Sequence, residues 1–135
     1  MKILIIFLQL IIAIGLINVW LVRFNKATQY RGGNAKNMEE EFAAYGLPSW
    51  LMYAVGSLKI FIAAMLLISF WILIKPVENY EELASNLLFY NLIVLAVLMV
   101  AALIMHVKIK DPIKKSYPAL SILFMTALIM YFTFG

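Results

Sequence analysis

Four long runs of apolar residues, separated by polar connectors, dominate the pattern of this chain. The first covers residues 3–22 and is interrupted only by Gln9 and Asn18 before Arg23 closes it. At 1.5 Å per residue, about 20 helical residues cross a hydrocarbon core of roughly 30 Å. Trp20 and Phe24 read as markers of a membrane–water interface. The second run covers residues 50–74 with a single charge, Lys59; Phe70 and Trp71 mark its far end, and Lys75-Pro76 stops it. The third spans about 87–107, with Asn91 near its start and His106 at its end. The fourth spans about 117–134. Asp111-Pro112 upstream reads as a helix start, with Asp as N-cap and Pro in the first helical position. Pro118 falls in the first turns of this run and is a potential bend. The runs are continuous rather than alternating in tens, which excludes a transmembrane β-barrel. The expected architecture is all-α, a four-transmembrane-helix bundle forming one membrane domain over 1–135.

The connectors are unequal. Residues 23–49 carry Arg23, Lys26, Arg31 and Lys36, then Glu39, Glu40 and Glu41. Gly32-Gly33 permits a turn. Asn37 followed by Glu40 reads as a capping box, Met38, Phe42 and Tyr45 fall on one helical face, and Gly46 with Pro48 ends the pattern. A short amphipathic interfacial helix over 37–45 is predicted, lying either on the membrane surface or on the bundle's own loops. A short acidic loop with Glu78, Glu81 and Glu82 joins the second and third runs. The last connector, 108–116, is basic, with Lys108, Lys110, Lys114 and Lys115 around Asp111. There is no repeat of 20–50 residues and no low-complexity tract.

Composition supports a lipid solvent. The 135 residues are 65% hydrophobic and 13% charged, against roughly 45–50% and about 25% in soluble chains. The formal charge of +4 sits mainly in connectors, so it reads as membrane-flanking charge in contact with lipid headgroups, and no nucleic-acid partner is expected. Lys2 and Lys75 lie on one side of the predicted bundle. Arg23, Lys26, Arg31, Lys36, Lys108, Lys110, Lys114 and Lys115 lie on the other. That bias makes the 23–49 and 108–116 connectors cytoplasmic and places both termini outside. The expected location is a bacterial inner (plasma) membrane. No cleaved signal peptide is expected, because the first run is long enough to span and no small-residue cleavage site follows it. No soluble tail is expected after Phe134.

Without cysteine, thiol chemistry, iron–sulfur clusters and Cys-ligated zinc are excluded for this chain by itself. A single histidine makes a protein-only metal site unexpected. Lys59 is the sharpest candidate: nine residues beyond Trp50, it lies roughly 13 Å into its helix. A cation at the bilayer centre costs about 2.5–3.5 kcal/mol on insertion scales, and the four runs hold no Asp or Glu. Lys59 must snorkel, be buried neutral against Thr126 and Gln9, or meet an anionic or carbonyl group of a ligand, lipid or partner chain. His106 suits a helix C-terminus, donating to last-turn carbonyls. Asp111 is accounted for by capping. Gln9, Asn18 and Asn91 read as interhelical hydrogen-bond groups, and Gly15 and Gly56 as points of close helix approach.

The stretches Tyr30-Arg31-Gly32-Gly33, Glu40-Glu41-Phe42-Ala43-Ala44-Tyr45-Gly46-Leu47-Pro48 and Val55-Gly56-Ser57-Leu58-Lys59-Ile60 resemble the DoxX-like family of small four-helix membrane proteins. So does the run from His106 to Lys115, whose His-x4-Asp-Pro-x-Lys pattern is the most specific element. A more distant likeness is to the animal chaperone of nicotinic acetylcholine receptors. The resemblance implies a four-helix bundle. It also implies either an assembly role through helix contacts or membership of a membrane oxidoreductase such as thiosulfate–quinone oxidoreduction. Relatives carry either Glu or Lys at the position of Lys59. The expected function is a non-enzymatic bundle that binds membrane lipids, a membrane-protein partner or a second copy of itself, without a cofactor. The alternative is a membrane subunit of a quinone-linked oxidoreductase, with quinone held near Lys59, Gln9 and Thr126. The candidate ligand- or partner-binding residues are Lys59, Gln9, Thr126, His106 and Asp111.

Overall fold

The computed structural model describes residues 2–74 and 81–134. The Lys75-Pro76 stop and the start of the acidic loop at Glu78 lie outside the described residues. Helix α1 runs Lys2–Ile17 and continues as a π-helical turn over Asn18–Val22. Then come α2 (Met38–Tyr45), α3 (Ser49–Ile74), α4 (Glu81–Lys108), a 3-10 turn (Ile113–Ser116) and α5 (Tyr117–Phe134). Among the described residues there is no strand. Four of the helices among the described residues are long and apolar enough to cross a membrane. The third begins at Glu81 rather than near residue 87. Apolarity marks the thickness of the hydrocarbon, and a helix continues past it wherever its backbone bonds allow.

The long helices close a ring in which α1 packs on α3, α3 on α4, α4 on α5, and α5 back on α1. Their inward faces meet in an aliphatic core of Leu8, Ile12, Leu16, Ile62, Leu66, Leu92, Leu95, Met99 and Ile129. Lipid is as apolar as leucine, so association rests on close packing, and small residues favour it. Ala13 and Ala63 are fully buried in this seam. The outward faces present Phe7, Ile14, Tyr90, Val97, Phe124 and Tyr131, as helices facing acyl chains do.

Polar groups inside the spans do not bond between helices as expected. Asn91 donates to Leu87 O of its own helix (2.6 Å), and Thr126 to Ile122 O (2.7 Å). Back-bonding of this kind engages a side chain within its own helix. Gln9 is fully buried, and neither of its amide atoms finds a partner among the described residues. The carbonyl of Asn18 closes the π turn by accepting from Arg23 N–H at 2.8 Å. Of the two glycines, Gly56 is the point of close approach: a Cβ there would stand 2.5 Å from the Trp20 ring, whereas one at Gly15 would meet nothing within 4 Å.

Helix α2 starts as its capping residues require. Asn37 Oδ1 accepts from Glu40 N–H (2.8 Å), and Glu40 Oε2 accepts from Lys36 N–H (3.0 Å). It ends at Gly46, in the left-handed region at φ 77°, with Leu47 N–H bonded to Phe42 O. Its apolar face is turned to protein. Met38 and Phe42 form a second cluster with Trp20 and Met52, flanked by Phe24, Leu47, Val55 and Ile60. Of the two placements open to an amphipathic 37–45 helix, the structure takes the one on the end of the bundle.

Candidate functional site

The connectors on the α2 side of the bundle fold into one polar assembly, here termed the connector end. Its strut is Arg31, only 4% exposed. The guanidinium donates to Lys26 O (3.1 Å), Phe24 O (3.3 Å) and Arg23 O, and to Glu41 Oε2 at 3.0 Å. A planar fork with five donors suits this cluster of carbonyls and one carboxylate, which a lysine ammonium would not match. Glu41 also accepts from Gly32 N–H (3.1 Å) and from the Tyr45 hydroxyl (2.7 Å). Burial, with Glu41 beside it, holds the Tyr45 phenol well above its ordinary range.

A second acidic centre lies on the other side of Tyr45. His106 Nδ1 is 2.7 Å from Asp111 Oδ2, while Asp111 Oδ1 accepts from Gly33 N–H at 3.0 Å and lies 3.8 Å from Lys115 Nζ. Lys115 also donates to Gly33 O. A carboxylate only accepts, so the imidazole proton sits on Nδ1 and leaves Nε2 facing the Tyr45 oxygen at 3.5 Å. The rings of Tyr45 and His106 meet edge to face at 84°. A Cβ on Gly32 would stand 2.6 Å from the Tyr45 ring, and Gly33 sits at φ 58°. The glycine pair is therefore what lets the 23–37 connector lie against Tyr45 and reach Asp111.

Two expectations are corrected here. Asp111 does not cap the fourth helix: the 3-10 turn begins after Pro112 without a side-chain cap, and both carboxylate oxygens are engaged elsewhere. His106 likewise turns to Asp111 rather than to the last carbonyls of α4. Left-handed Lys110 brings the chain back, with Asp111 N–H bonded to His106 O, so the two side chains meet.

Beneath this assembly lies a cavity of about 680 Å³. Its walls are apolar, with Ile11, Leu51, Val55, Leu98, Met105 and Ile122 among them, and Arg31, Glu41, Tyr45 and His106 form its polar end. Lys59 lines it as well, with Nζ 5.2 Å from the centroid of the Trp20 ring. Trp20, read from sequence as an interface marker, is 6% exposed. The π turn rotates it inward over Gly56, against Phe42 at 6.0 Å. π-Helical turns inside α-helices concentrate at functional sites.

Lys59, His106 and the Asp111 partner Lys115 are thus brought to one chamber. Gln9 and Thr126 are not among the residues that line it. With Trp20 level with Gly56 on antiparallel helices, Gln9 lies roughly 12 Å beyond Lys59 along the bundle. Of the three resolutions open to Lys59, neutral burial against Gln9 and Thr126 does not form. The sequence reading missed Arg31, Glu41, Tyr45 and Trp20 as site residues. Glu41 and Tyr45 stand four apart on α2 and carried a usable signal. Arg31 is one cation among several in its connector, and nothing in the pattern sets it apart.

Compared with known families, residues 24–129 match the sequence model of the DoxX-like family. The matched range includes α2, Lys59, the His106–Lys115 segment and most of α5. No curated protein and no solved structure matches the chain.

Proposed function

This chain belongs to the DoxX-like family and is an integral membrane protein, and from that premise we propose that it is a non-enzymatic bundle that binds a membrane-soluble amphiphile in the connector-end cavity. The observation that carries this is the cavity itself. Ligand sites are typically concave, about 300–1,000 Å³, apolar-walled and furnished with a few polar groups. This one has that size and lining. The polar groups at its end are fixed by the Arg31–Glu41 and His106–Asp111 pairs, a preorganised support for a headgroup. The surplus of cations in the connectors supports a cytoplasmic connector end, in a bacterial inner membrane.

A quinone is the second reading. Lys59 in an apolar chamber is a donor for a ring carbonyl, and a subunit of a quinone-linked oxidoreductase would use it in this way. Purification in mild detergent, solvent extraction and mass spectrometry test both readings. We expect one amphiphile per chain, lost in Ala102→Trp, which fills the cavity wall. One quinone per chain would favour the oxidoreductase subunit. A stoichiometric polypeptide with no small molecule would instead establish an assembly or chaperone role. Orientation is tested in intact cells with an impermeant maleimide. Asn79→Cys should label and Lys114→Cys should not; the reverse would invert the topology.

A further inference from the structure

Charge along the cavity is unbalanced in a way that points to the ligand's headgroup. Arg23, Arg31, Lys59 and Lys115 line the cavity against the single carboxylate of Glu41. Arg31 is neutralised by Glu41, and Lys115 lies beside Asp111. That leaves Lys59, partly exposed on the chamber wall, and the exposed Arg23. Among the described residues neither side chain has a hydrogen-bond acceptor or an ion-pair partner. The oxygens of Glu41 already accept from Arg31, Gly32 and Tyr45, so its charge reaches Lys59 only at a distance. What Lys59 does have is the face of Trp20, 5.2 Å away. A cation–π contact offsets only part of the cost of an ammonium within a membrane span. The rest is met when an anion enters.

We propose that the cavity takes an anionic single-chain amphiphile, its carboxylate or phosphate head on Lys59 and its apolar chain along Ile11, Leu98 and Ile122. Charge complementarity selects the acidic head over a neutral one. The volume, in the range of small-molecule sites, suits one chain rather than a whole two-chain phospholipid. The inference rests on the reading of the cavity as an amphiphile site and adds the charge of the head to it.

The test uses Trp20 as the reporter. In the full chain carrying Trp50→Phe and Trp71→Phe, quenching of Trp20 fluorescence is titrated with dibromostearic acid and with its methyl ester. We expect the acid to bind at least about tenfold more tightly than the ester. Lys59→Met should reduce that preference to about threefold or less while ester quenching persists, which shows the cavity intact. Equal quenching by acid and ester in the parent chain would overturn the anionic head and leave the amphiphile site standing. No quenching by the acid, the ester or dibrominated phosphatidylglycerol would overturn the site as well. Quenching by dibrominated phosphatidylglycerol but not by the free acid would assign the anion to a membrane lipid and overturn the single-chain ligand.

Discussion

In the aliphatic core, Ile12, Leu66, Leu92, Leu95 and Ile129 meet through methyl and methylene groups, and a neighbour of similar volume and shape serves equally well. At the connector end the contacts are of another kind. Arg31 holds three carbonyls and a carboxylate; Asp111 holds a backbone amide from the 23–37 connector and an imidazole from α4. Directional bonds between buried partners tolerate little substitution, because each removal leaves another group unpaired. The core secures a bundle, and many sequences can do that. The connector end fixes the shape of one chamber, and its residues are individually committed to it.

The largest expected break in this contrast is Arg31→Met. It leaves the partly buried Glu41 without its cation and the Lys26 carbonyl without its donor, while the carbonyls of Arg23 and Phe24 keep only their backbone bonds from Lys26 and Met38 N–H. The loss should be about 3–5 kcal/mol, read from unfolding in detergent by circular dichroism. Arg31→Lys should not restore it, since an ammonium cannot span the same acceptors. Full stability in Arg31→Met would show that the strut is dispensable.

Asp111 comes next. If the carboxylate accepted only as a helix cap, Asn would replace it at little cost. With both oxygens engaged, Asp111→Asn turns a donor toward either Gly33 N–H or His106 Nδ1–H. Asn and Ala should then both cost about 1.5–3 kcal/mol. A neutral Asp111→Asn would return the residue to a capping role.

The core gives the opposite sign. Gln9 carries a buried amide with neither atom partnered among the described residues, so Gln9→Leu should stabilise the bundle by about 1–3 kcal/mol. Destabilisation would mean that the amide has a partner, a buried water being the simplest.

The smallest effect lies at alkaline pH. The folded Tyr45 phenol titrates above its ordinary 10.0. Its contribution is therefore complete below pH 10 and lost as pH rises beyond it, where the unfolded chain releases the proton first. Above that point stability should fall by up to about 1.4 kcal/mol per pH unit for this one group. Tyr45→Phe should flatten the slope by that amount. Identical slopes in the two proteins would remove Tyr45 from the account.

How far the pattern alone reaches follows from the same contrast. The spans were legible because apolar length is a direct consequence of membrane thickness, and α2 was legible because Asn37, Glu40 and Gly46 act on neighbours within a turn. Lys59 stood out because nothing in its own segment offsets its charge. What the sequence withheld were the pairings across long separations: Gly33 with Asp111, Tyr45 with His106. Those depend on a left-handed residue at Lys110, which no local pattern announces, and on a glycine pair whose turn is legible but whose place opposite Tyr45 is not. Trp20 was misplaced for a related reason. A π turn rotates a side chain without changing any residue identity.

Hydrogen exchange read by mass spectrometry, on the protein as purified and after delipidation, tests the central claim most directly. If the connector end is a ligand chamber, removing the bound amphiphile should raise exchange in residues 28–47, 51–59 and 105–118 and leave the amides around Ile12, Leu66 and Leu92 unchanged. Adding stearic acid back should restore protection to the wild type but not to Lys59→Met. Exchange that rises evenly through core and connectors, or that does not change at the connector end, would contradict it.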